Sequence, residues 1–84
     1  MTTYYIGRDT DGNLVSRGST RSDFTHAAFD PDYRGEVPSF GTSAAGALAN
    51  MQGRSSPARH HRLRVVPVRV VSAKEYREAR KGLT

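Results

Sequence analysis

The sequence predicts a small α+β domain: an antiparallel sheet of three to four strands, one helix packed on a face, and a short C-terminal helix, in the order β-β-β-α-β-α. Three observations predict it. The chain opens on a β-rich run that an Asp-Gly-Asn turn folds back onto a second one. Residues 62–71 (RLRVVPVRVV) form the strongest strand pattern in the chain. Two segments, beginning at Thr42-Ser43 and at Ser72, carry the start signals of helices. At 84 residues the whole chain, 1–84, reads as one domain, since a single core commonly serves roughly 100–200 residues.

The elements follow in order. Thr3–Arg8 (TYYIGR) and Leu14–Arg17 flank Asp9-Thr10-Asp11-Gly12-Asn13, whose Asp-Gly and Gly-Asn pairs suit the positive φ of a hairpin loop. A polar connector at 18–23 leads to Phe24–Phe29. As a strand, that segment places Phe24, His26 and Ala28 on one face; a short helical turn is the alternative. Residues 30–41, with two prolines and two glycines, read as an irregular surface loop. Thr42 or Ser43 caps a helix in which Ala44, Ala47, Leu48 and Met51 fall at helical spacing, with Gly53 as its stop. Arg54–His61 reads as a mobile polar connector.

The strand at 62–71 changes phase. Leu63 and Val65 share one face, whereas Val68 and Val70 have the opposite parity. A bulge at Val66-Pro67 restores all four to one face, because proline is tolerated in sheets mainly at bulges and edges. That arrangement throws Arg62, Arg64 and Arg69 outward together. Ser72 and Glu75 then match a capping box, Val71 and Tyr76 have the spacing of a hydrophobic staple, and Gly82 can close the helix.

Composition narrows the function classes. Without cysteine there are no disulfides and no thiolate metal sites. The first residues lack the pattern of a signal peptide, and no stretch approaches the roughly 20 apolar residues of a membrane span. A soluble, cytoplasmic location with no membrane contact is expected. With a hydrophobic fraction of 36% the core is expected to be thin, and self-association would supplement it. Residues 1–36 hold four arginines against six acids, a net of −2, whereas residues 37–84 hold nine bases against Glu75 and Glu78, a net of +7. Such asymmetry points to an anionic partner, although an Arg-rich chain is also what GC-rich codons produce. Arg54, Arg59, Arg62, Arg64 and Arg69 are the candidate surface, because arginine forks onto phosphate or carboxylate.

No chemical motif competes strongly with that surface. A metal site would have to come from His26, His60 and His61 with a carboxylate, and the spacing is not that of structural zinc. Ser22, Asp23, Thr25 and His26 sketch a nucleophile and base, yet there is no nucleophile elbow, P-loop or dinucleotide fingerprint. No cofactor, metal or small-molecule substrate is expected, and the chain reads as a non-enzyme. Nucleic-acid binding fits the arginines but lacks interleaved aromatics for base stacking. A protein-binding edge strand fits them equally well.

The strand-turn-strand start, the Ser-Thr-Arg-x-x-Phe-Thr-His-Ala segment (Ser19–Ala27) and the strand leading into Ser72-Ala73-Lys74-Glu75-Tyr76 together resemble a group of small accessory proteins from phages of actinobacteria. The resemblance implies a binding role toward a host or phage macromolecule in the cytoplasm of the bacterial host. It carries no functional residues over, and the 30–41 loop has no counterpart in it. The expected function is a binding protein that meets a protein partner, or itself, through a basic strand surface. The alternative is a sequence-nonspecific nucleic-acid binder using the same arginines.

Overall fold

A computed structural model of the chain describes residues 1–33 and 36–81. It is an α+β fold in which six strands form two three-stranded antiparallel sheets. Strands β1 (Thr3–Arg8) and β2 (Leu14–Ser19) pair as the predicted hairpin, and Gly12 adopts φ +81° in its turn. The Asp9 carboxylate ties that turn by accepting from the backbone N–H of Asp11 and Asn13 and from the Asn13 amide. This is the local hydrogen bonding that suits Asp to turns.

Strand β3 (His26–Phe29) pairs on one side with β4 (Ser39–Gly41) and on the other with β5 (Arg64–Pro67). Only His26–Phe29 of the 24–29 segment is strand. Phe24 lies before it and packs toward Tyr5 and Phe40 rather than sharing a face with His26 and Ala28. β4 is a strand inside what the sequence reads as irregular loop. Arg34 and Gly35 of that loop lie outside the described residues. Helix α1 (Ala44–Gln52) starts at Ser43, whose hydroxyl accepts from Gly46 N–H at 3.0 Å. Residues 57–62 form a 3-10 helix rather than a mobile connector, with Pro57 at its first turn.

The strand at 62–71 departs most from its prediction. Pro67 does not mark a bulge within one strand. Lacking an N–H, it ends the ladder with β3, and Val68 N–H donates instead to Thr25 C=O at 2.9 Å. From Arg69 the chain belongs to the other sheet as β6 (Arg69–Val71), paired with β1. The four expected core residues therefore do not share a face. Leu63 and Val65 pack with Ala28, Ala47 and Met51 under α1; Val68 packs against the core between the sheets; Val70 is 59% exposed. The phase shift arises because β5 is covered on both sides, so Val65 and Val66 are both apolar.

The core has two parts. Tyr5 and Val15 of the β2-β1-β6 sheet meet Ala27, Phe29, Phe40 and Val66 of the β4-β3-β5 sheet. Behind the second sheet, Ala28 packs with Ala47 and Met51 of α1. Tyr5 is fully buried, and its hydroxyl donates to Arg21 C=O at 2.6 Å. Helix α2 (Ala73–Lys81) covers the other face of β1, where Tyr76 stacks on Tyr4 with ring centroids 4.6 Å apart. Ser72 supplies its half of the expected capping box, accepting from Glu75 N–H at 3.1 Å, while the Glu75 carboxylate pairs with Arg69. The stop assigned to Gly82 lies outside the described residues. Among the described residues no helix is long and apolar enough to cross a membrane.

Candidate functional surface

The five arginines expected to form one stripe point to four different places, with Arg59 and Arg62 sharing one. Arg54 donates to Ser39 Oγ on β4 at 2.7 Å. Arg59 bridges Asp30 at 2.8 Å and Glu36 at 2.6 Å, and its guanidinium lies 4.2 Å from the centre of the Tyr33 ring. Arg62 also binds Asp30, at 2.9 Å. Arg64 reaches across to Asp9 at 2.8 Å and to Asp11 in the hairpin turn. Arg69 pairs with Glu75 on α2. The basic stripe is therefore absent as a free surface. Its arginines fasten the hairpin, the loop after β3, β4 and α2 to the strand and to the 3-10 helix before it.

Electrostatics matches this arrangement. The Asp30 side chain has no solvent exposure. Burial opposes its ionisation, yet hydrogen bonds from Arg59, Arg62 and Asp32 N–H outweigh that and hold its pKa at about 2, below the usual 3.8. Hydrogen bonding from Asn13 lowers the Asp9 pKa against some desolvation, with Arg64 adding to it. Arg69 likewise lowers that of Glu75. Seven of the eight acids, all but Glu78, stand in ion pairs with Arg21, Arg59, Arg62, Arg64 or Arg69. Acids of the first half thus neutralise Arg59, Arg62 and Arg64, and Glu75 of the second half neutralises Arg69. Among the described residues, Lys74, Arg77 and Arg80 of α2 have no carboxylate partner within 4 Å.

The other sequence candidates separate. His26 Nδ1 stands 2.8 Å from Thr25 Oγ1, but among the described residues no carboxylate is bonded to its ring, and Asp23 is held by Arg21. His60 Nε2 carries its proton toward the carbonyls of Gln52 and Ser55, at 3.0 and 3.2 Å. His61 is exposed. His26 lies on β3 and His60 and His61 on the 3-10 helix, and no cluster of three or more His, Asp or Glu among the described residues is arranged to hold a metal ion.

The sequence gives no sign of the cleft along β2. Among the described residues β2 pairs only with β1, so its outer edge is open. Between that edge and the loop after β3 lies a cleft of about 770 Å³. Asn13–Ser16 form one wall; Tyr33, Val37 and Pro38 form the other; Arg80 stands at the end. Tyr33 is 53% exposed and Val37 64% exposed. Arg59 and Arg62 hold this second wall, through Asp30, Glu36 and the Tyr33 ring. A second cleft of about 720 Å³ runs from Arg8–Asp11 to Arg64–Pro67, and its polar side chains are largely committed to the Arg64–Asp9–Asp11 pairs. His26 lines neither. Comparison with protein-family models, curated proteins and solved structures finds no match.

Proposed function

We propose that this chain is a non-enzymatic binding protein of the phage-accessory kind, whose protein partner lays an extended segment along the open edge of β2. One observation carries the reading: the cleft joins an unpaired strand edge to exposed apolar side chains, Tyr33 and Val37, on a wall fixed by ion pairs. Strand addition obtains affinity from main-chain hydrogen bonds and specificity from pockets for alternate side chains. An open edge beside an apolar wall supplies both. The basic strand surface itself is the weaker site, since its arginines are occupied within the chain.

Selection from a library of random dodecapeptides displayed against the folded protein tests this reading. Peptides with alternating apolar residues are expected to enrich, and Val37→Asp is expected to abolish their binding without changing the melting temperature. Failure to enrich, or indifference to Val37→Asp, would contradict it.

A second reading, sequence-nonspecific nucleic-acid binding, is favoured by exposed Lys74 and Arg77 on α2, which have no carboxylate within 4 Å among the described residues. If it holds, affinity for random duplex DNA at low salt falls steeply as salt rises. Affinity also weakens in Lys74→Glu/Arg77→Glu and is unchanged in Arg69→Ala. No binding at low salt removes it.

A further inference from the structure

We infer that the segment taken by the β2 cleft carries an acidic side chain, and that Arg80 is the residue that reads it. This rests on the strand-addition reading above and adds the chemistry of the partner. Arg80 projects from the last turn of α2 to the end of the cleft. Its Nη1 donates to Ser16 Oγ on the β2 edge at 3.1 Å and to the Tyr76 hydroxyl at 3.3 Å, and its guanidinium lies 5.3 Å from the Tyr76 ring centre. The side chain is thus held in place from one side.

Both protons of Nη1 are used by those bonds. Nε and Nη2, the two donors that form a fork onto a carboxylate, meet no acceptor among the described residues. Arg59, Arg62, Arg64 and Arg69 each have a carboxylate within the chain. Arg80 is likewise held by hydrogen bonds and, among the described residues, has no carboxylate within 4 Å. Among the described residues, the other charged side chains along the cleft are Asp30 and Glu36, and both are bound by Arg59. Among the described residues, Arg80 is therefore the charge that the cleft offers to an incoming segment, with apolar Val37 and Pro38 also lining it. The segment that complements it pairs an apolar side chain with Asp or Glu near one end.

The same peptide selection, run in parallel on wild type, Arg80→Gln and Arg80→Glu, decides the matter. Wild type is expected to enrich Asp or Glu at one fixed position. Arg80→Gln is expected to lose that preference and bind the enriched peptides roughly three- to tenfold more weakly. Arg80→Glu is expected to invert it toward Lys or Arg. Peptides that bind through the Val37 wall with no acidic preference, or whose preference survives Arg80→Glu, overturn the role of Arg80 and leave the strand-addition reading standing. No enriched peptide at all overturns both. A concentration-dependent dimer dissolved by Arg80→Glu, or tight DNA binding lost in that variant, also overturns the inference, since the occupant is then a second copy or a nucleic acid.

Discussion

Asp30→Ala is expected to lower the unfolding free energy by roughly 3–5 kcal/mol, the cost of breaking a buried ion pair from one side. In a domain of this length that lowers the melting temperature by roughly 15–30 °C. The reason lies in what the carboxylate holds. It accepts from Arg59 Nε, Arg62 Nε and Asp32 N–H while fully shielded from water. Truncation leaves two guanidinium groups facing a cavity, and the loop that carries Tyr33 is then held through the Arg59 contacts to Glu36 and the Tyr33 ring. Asp30→Asn keeps the volume and an acceptor for Asp32 but loses the charge, so its effect is intermediate. Asp23→Ala, which breaks only the exposed Arg21 pair, is expected to leave the melting temperature nearly unchanged. Equal effects at Asp30 and Asp23 would show that the buried network is not a fastening.

The same carboxylate sets a pH dependence of known sign. Its folded pKa of about 2 lies below the ordinary 3.8, so folding favours the ionised form. The stabilisation is complete above the unfolded pKa and is lost as pH falls from about 4 toward 2. Asp9, Asp23 and Glu75 shift in the same direction. The share belonging to Asp30 is therefore read as a difference. Chemical denaturation across this range should show a shallower acid decline in Asp30→Asn than in wild type. Parallel declines would contradict the assignment.

Gly41→Ala is expected to destabilise by roughly 3 kcal/mol or more, at the upper end of overpacking changes. A Cβ there would stand 2.6 Å from Ala47 N and 2.9 Å from Ala47 Cα. Both are backbone atoms of α1, so no side-chain rotation relieves the overlap. The helix would have to lift from β4 and uncover Ala47 and Met51, both fully buried. Gly53→Ala is the matched control. Its nearest atoms lie 3.6 Å away and its φ is −65°, so alanine should be neutral or stabilise by about 0.4–1 kcal/mol. The two variants should move the denaturation midpoint by clearly different amounts; similar shifts would mean that α1 does not rest on Gly41.

What the sequence made legible was local. Asp9, Gly12 and Asn13 encode a turn through bonds within four residues, and Ser43 and Ser72 cap helices through bonds three residues away. These features depend on chemistry that neighbours in the chain can supply. β4 was not legible, because three residues between Pro38 and Thr42 have no pattern until β3 lies beside them. The arginines failed as a surface for a related reason. Arg59 and Asp30 are 29 residues apart and Arg64 and Asp9 are 55 apart, so nothing local announces either pair. Charge asymmetry between the halves was real, but it records attraction inside the molecule as well as any outside it. The β2 cleft needed both the open edge and the fastened loop, which no periodicity reveals.

In the proposed reading the arginine-rich strand is internal fastening and a partner meets the cleft beside β2. Amide chemical-shift mapping on nitrogen-labelled protein, titrated with an enriched peptide, tests both halves at once. Shifts at Asn13–Ser16, Tyr33, Val37 and Arg80, with Arg64–Arg69 unmoved, are predicted. Shifts concentrated on Arg64–Arg69, with the β2 edge unmoved, would contradict the claim.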